Sequence, residues 1–176
     1  MGIGNTTPAA CLAMLLAKVP LEYAVGRGAG ADDDVLLTKR KIVSEAVERA
    51  QQLPLKESIA AVSGLEIVAM AGLMARASAA GLTIILDGYV TTAAALIAEQ
   101  LQRGTAGNVI AAHLSAEPGH RLALTALGLQ PFLEWDMRLG EGTGALLLMP
   151  LLDAAAAMVS NMATFADLGI HREAPT

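Results

Sequence analysis

The sequence predicts an α/β fold built on a parallel sheet, and two stretches carry that prediction. Residues 82–86 (LTIIL) are short, apolar and partly β-branched, as suits a strand covered on both faces. A helical stretch at 93–102 follows, is closed by Gly104 and Gly107, and leads into a second strand at 109–112. Strand, helix and strand make a β-α-β unit whose crossover is right-handed. In open sheets of this class, ligands bind at the carboxyl ends of the strands. Asp87-Gly88 after one strand and the loop 113–120 after the next therefore occupy ligand-facing positions.

Taken in order, MGIGNTT gives a glycine-rich turn with capping side chains, followed by Pro8 at a first helical position and a helix over 9–16. Such a start is either an ordinary cap or an anion site. A second glycine-rich loop, 26–34, ends in Asp32-Asp33-Asp34, which cap a helix over 35–53. No strand precedes this loop, so it fails the context of a dinucleotide fingerprint. Lys39-Arg40-Lys41 lie near that helix's start, as a solvated face or as contacts to an anion. Pro54 opens a helix running to about residue 80 that suits burial, in which Glu66 needs a partner. Gly81 stops it.

The loop HLSAEPGH offers His113, Ser115, Glu117 and His120. Two histidines with no third His or Cys are a poor zinc set, and the loop lacks a nucleophile elbow. Ser115 and backbone N–H groups facing a ligand are the more economical reading. After a helix over 121–127, apolar residues 129–133 and 135–139 lead to Gly140-Glu141-Gly142-Thr143-Gly144. This turn opens a long Ala-rich helix to about residue 162 that reads as buried. Glu141 either complements the helix dipole or is a carboxylate held partly desolvated against a ligand. Thr164 caps a last helical turn.

The chain of 176 residues is enough for one domain with a substantial core. Its net charge of −5 and 3% aromatic content argue against nucleic acid. Cys11 is the single cysteine, so neither an intrachain disulfide nor a thiolate metal cluster forms. The sequence is 54% hydrophobic, but Pro150 and Asp153 interrupt its longest apolar run and the N-terminus lacks a signal peptide's basic region. A soluble cytoplasmic protein is expected.

MGIGNTTPA, GRGAGADDD, GLEIVAMAGLM, ILDGYVTTAAAL, HLSAEPGH, RLGEGTGALLLMPLLDAAAAM and MATFADLGI occur in one order and register. Together they resemble the nicotinate-nucleotide–dimethylbenzimidazole phosphoribosyltransferases over essentially the whole chain. The resemblance implies a Rossmann-like parallel sheet with flanking helices, plus helices of a partial small domain. It implies transfer of phosphoribose from nicotinate mononucleotide to 5,6-dimethylbenzimidazole, with no cofactor and no metal. Glu141 falls on the family's general base, and Leu139 lines the base pocket. Gly2, Gly4, Asn5, Thr6, Asp87, Gly88, Ser115 and Gly142 fall on segments around the substrates, and Lys39 on a phosphate contact. A carboxylate in a water-poor turn has a raised pKa, which suits a base near neutral pH.

Family members carry a further N-terminal half, so the resemblance also implies a single partial domain over 1–176. A second copy or a complementary N-terminal half would complete the pocket. The competing expectations are a non-catalytic nucleotide- or phosphate-binding module and an inactive fragment.

Overall fold

The computed structural model describes residues 4–28, 30, 32–138 and 140–170. Its helices are α1 (Thr6–Ala17), α2 (Leu21–Ala24), α3 (Asp33–Ala50), α4 (Leu55–Val62), α5 (Leu65–Ala79), α6 (Tyr89–Leu101), α7 (His120–Ala126) and α8 (Thr143–Asn161). Three strands, β1 (Ile84–Leu86), β2 (Val109–Ser115) and β3 (Pro131–Met137), form one sheet in the order β1-β2-β3. Both pairings are parallel, Ile84 opposite Val109 and Ala111 opposite Pro131. The α/β class and the β-α-β unit expected from 82–112 are thus present, with β3 formed by the unassigned apolar stretch before the glycine turn.

The core gathers around α6 and α1. Thr92 through Ala98 are all buried in α6, as are Ala9 through Ala13 in α1. A helix buried nearly all round must be apolar all round, and alanine lets these two approach α3, α5 and α7 closely. Cys11 is part of this packing, and burial pushes its thiol pKa up to about 11.

Where β2 meets β3 at the site end of the sheet, the register slips. His113 pairs with Leu133, but Ser115 pairs with Met137. The extra residues include Asp136 at φ +52, and the bulge bends β3 at the mouth of the cleft described below.

Four expectations are corrected. Helix α1 starts at Thr6, with Asn5 in a helical conformation and no side-chain cap, so Pro8 is its third residue. The helix expected over 54–80 is two, because Ser63 and Gly64 are both extended and break it. Glu66 is only half-buried in the first turn of α5, where the helix dipole favours an acid. Helix α8 runs unbroken through Pro150 but is not buried. Only Gly144 and Leu148 are enclosed, while Leu146, Met149, Leu151, Met158 and Val159 are at least half exposed. By length and composition alone this helix could cross a membrane, which the sequence reading excluded because of Pro150 and Asp153. Thr164 does cap a turn, its N–H and hydroxyl both donating to Asp167.

The contrast between core and α8 gives a direct check. Leu12→Ala, at a site with no exposure, is expected to cost about 2–5 kcal/mol. Val159→Ser, at 87% exposure, should stay within about 0.5 kcal/mol. Urea unfolding of the two variants measures both.

Candidate active site

The start of α8 has no capping side chain of its own. Its N-cap, Gly142, takes φ +83, a left-handed conformation that favours glycine. The first N–H groups of a helix need acceptors from outside it, and here a distant carboxylate supplies them. Asp87, just past the end of β1, accepts from Gly142 N at 3.0 Å through Oδ2, and from Gly144 N at 2.8 Å and Ala145 N at 3.2 Å through Oδ1. With 6% exposure, Asp87 is a buried charge compensated by three N–H donors and the positive end of α8. The turn carrying Glu141 is thereby bound to the end of the sheet.

His113, on β2, lies beneath this junction. A Cβ on Gly144 would fall 2.0 Å from its Nδ1, and one on Gly88 would fall 3.3 Å from its Cε1. Glycine is needed at Gly144 because the ring occupies the space a side chain would take. His113 and Ser115 are two apart on the strand and so share a face of the sheet.

His120, at the start of α7, orders the neighbouring backbone. Its Nδ1 accepts from Ser115 N–H at 2.9 Å, so Nε2 carries the proton and donates to Thr92 Oγ1 at 2.9 Å. Thr92 in turn donates to the Gly88 carbonyl at 3.0 Å. The chain Ser115–His120–Thr92–Gly88 fixes both strand-end loops against each other. Burial, with His113 and Arg121 nearby, lowers His120 to about 3. Burial also lowers His113, opposed by Asp87. Both rings are neutral near pH 7. His120 is therefore a buried structural member of the site.

The other wall comes from α1, α3 and the loop between them. Lys39 Nζ donates to Thr6 Oγ1 at 2.8 Å and to the Gly26 carbonyl at 3.1 Å. Burial lowers the Lys39 pKa, with Glu117 acting the other way. Glu117 Oε2 is buried without a hydrogen-bond partner among the described residues, packed where a Cβ on Gly26 would come within 2.0 Å. Gly28 also borders Thr6.

These walls enclose a cleft of about 330 Å³. Of the residues singled out in the sequence, Asn5, Thr6, Asp87, Gly88, Ser115 and Glu141 line it, and Lys39 stands behind Thr6. Gly142 is spent on Asp87, and exposed Gly4 is not in the lining. Gly2 and Leu139 lie outside the described residues. Glu141 is exposed at the rim, so the desolvation anticipated for it is absent here. Sequence reasoning did not give His113 its place under the turn, nor Gly28 and Arg138 theirs in the lining. The strand-end rule placed His113 near the site, and only the glycine spacing of the turn hinted at its close approach to Gly144. Among the described residues no cluster of His, Cys, Asp and Glu is arranged to hold a metal.

A phosphoribosyltransferase family model matches residues 1–170. The nicotinate-nucleotide–dimethylbenzimidazole phosphoribosyltransferase of Thermus thermophilus is 49% identical over 98% of this chain and 51% of its own length. The enzyme of the same description from Ralstonia nicotianae is 45% identical over 99% of this chain and 50% of its own. A crystal structure of CobT from Thermus thermophilus superposes with a TM-score of 0.88 at 48% identity, covering 98% of this chain and 52% of that one. The chain spans about half the length of the curated relatives it matches.

Two outcomes follow from the buried groups. Asp87→Asn leaves the turn's three N–H groups without a charged acceptor and should destabilise the fold by about 2–3 kcal/mol in urea unfolding. In the unfolded chain His113 and His120 titrate near 6.5, but folding lowers both. Their contribution is complete above about 6.5 and is lost as the pH falls toward the folded values, by up to about 1.4 kcal/mol per pH unit for each group. The urea midpoint should therefore fall between pH 7 and pH 4.5, less steeply in His120→Gln.

Proposed function

The chain belongs to the nicotinate-nucleotide–dimethylbenzimidazole phosphoribosyltransferase family, and on that footing we propose that it moves phosphoribose from nicotinate mononucleotide to 5,6-dimethylbenzimidazole. The products are α-ribazole 5′-phosphate and nicotinate, as in assembly of the cobalamin nucleotide loop. One observation carries the reading: Glu141 shares a single cleft with Asn5, Thr6, Gly88 and Ser115 at the carboxyl end of a parallel sheet.

In this reading the phosphate sits by the start of α1, where Lys39 supplies positive charge beside Thr6. Helix-start N–H groups suit an anion there. Gly4 belongs to the turn before α1, and Gly2 is assigned to the same phosphate from the sequence alone. Gly88 lets the ribose approach the backbone closely, and Ser115 offers it a hydroxyl. Leu139 borders the acceptor. The acceptor's ring nitrogen forms a bond to the anomeric carbon as the bond to the nicotinate nitrogen breaks. That bond's electron pair returns to the pyridinium ring, and Glu141 takes the proton leaving the acceptor. Asp87 and Gly142 serve the substrates indirectly, by holding the turn. Much of the rate comes from fixing the two reactants together. No cofactor is required.

The chain works in this reading as one partial domain in the cytoplasm. The exposed apolar face of α8 is covered by a second copy or by the half of the fold that the relatives also carry. A second reading, a nucleotide- or phosphate-binding module without transfer activity, draws on the exposure of Glu141.

Release of nicotinate, assayed with and without dimethylbenzimidazole, separates the two. Transfer predicts release that depends on the acceptor and falls about 10²–10⁴-fold in Glu141→Gln. Lys39→Ala should raise KM for the mononucleotide with a smaller effect on kcat. Calorimetric binding of the mononucleotide without any release favours the module, and release undiminished in Glu141→Gln removes the base assignment.

A further inference from the structure

Among the buried polar groups, His113 stands out. Its side chain is 1% exposed, and neither ring nitrogen has a hydrogen-bond partner among the described residues. A buried polar group without a partner is costly, yet this ring is packed against the backbone of Gly144 and Gly88. The nearest charge is Asp87, whose Oδ1 lies 3.7 Å from Nδ1. That is beyond a hydrogen bond but close enough for a carboxylate to orient an N–H dipole. A lone pair on Nδ1 would instead set two electron-rich atoms face to face in a buried place.

We propose that His113 is a positioning residue for Glu141: a neutral imidazole with its proton on Nδ1, it steadies the Asp87 carboxylate and, through it, the turn on which Glu141 stands. The inference rests on the reading of Glu141 as the base. The titratable and charged groups around the ring are Asp87 after β1, His120 on α7, and Glu117, Arg138 and Glu141 in the shared cleft. His120 is neutral and packs edge-on at 6.3 Å, so among the described residues the charge pressing directly on His113 is the Asp87 carboxylate. The two histidines then hold opposite tautomers, His120 protonated on Nε2 by its Ser115 and Thr92 bonds and His113 on Nδ1 by Asp87. Asp87 divides its oxygens between three N–H groups of the turn, and a fourth dipole directed at Oδ1 holds the carboxylate in the orientation those three bonds require.

The test uses the full chain and needs no catalysis, so failure of the transfer reading leaves its result intact. Imidazole nitrogen NMR at pH 7 should show His113 neutral with Nδ1 protonated, and His120 neutral with Nε2 protonated. An Nε2-protonated or imidazolium His113 overturns the proposal. Amide hydrogen exchange at Gly142, Gly144 and Ala145 supplies the second readout. His113→Asn, which keeps a donor where Nδ1 stood, should hold protection near that of the unmodified chain. His113→Phe, which keeps a ring without the donor, should lose about tenfold. Full protection in His113→Phe reduces the residue to packing and overturns the proposal. If that variant does not fold, the tautomer in the unmodified chain still decides.

Discussion

The bond set on which the structure depends is that of one carboxylate. Asp87 accepts N–H groups from residues 55, 57 and 58 positions further along the chain, and so ties the end of β1 to the start of α8. Without an acceptor, the first turn of a helix leaves donors unsatisfied, and a buried end of that kind does not persist. The acceptor here comes from the loop that also carries Gly88. The same contact that caps α8 therefore fixes how far Glu141 stands from the Gly88 backbone, and stability and cleft geometry cannot be altered separately at this point.

Close approach depends on what is missing from side chains. Gly144 admits the His113 ring, Gly26 admits the Glu117 carboxylate, and alanines in α1 and α6 bring helices together behind the sheet. Around these contacts the polar groups form a directed network, from Ser115 through His120 and Thr92 to Gly88. Such networks specify one arrangement because His120 and Thr92 each accept from one neighbour and donate to the next, so reversing any one bond breaks the chain. The opposite surface follows other rules. Phe132 and Trp135 on β3 and most of α8 stay open to solvent, apolar surface that the described residues leave uncovered.

How much of this was legible in the sequence follows from the range of the forces involved. The strand at 82–86 and the turn at 140–144 are local patterns, and both are present. The break at Ser63-Gly64 was missed because the surrounding apolar spacing reads as one helix. Pro150 was read as an interruption, although one lost hydrogen bond does not end a 19-residue helix. Burial of α8 was inferred from composition, but burial requires a partner and composition does not provide one. Asp87 was placed at the site by the strand-end rule, while its three donors are tertiary and have no sequence signature. Likewise the glycines marked a close approach without saying that His113 was what approached.

The central claim is that the strand-end loops and the Glu141 turn form one binding cleft. Amide NMR of the chain during titration with nicotinate mononucleotide tests it most directly. The account predicts saturable shifts confined to the lining, at Asn5, Gly28, Gly88, Ser115, Gly140 and Glu141, with α4 and the distal turns of α8 unmoved. Shifts centred on another surface, or none at millimolar ligand, would contradict it.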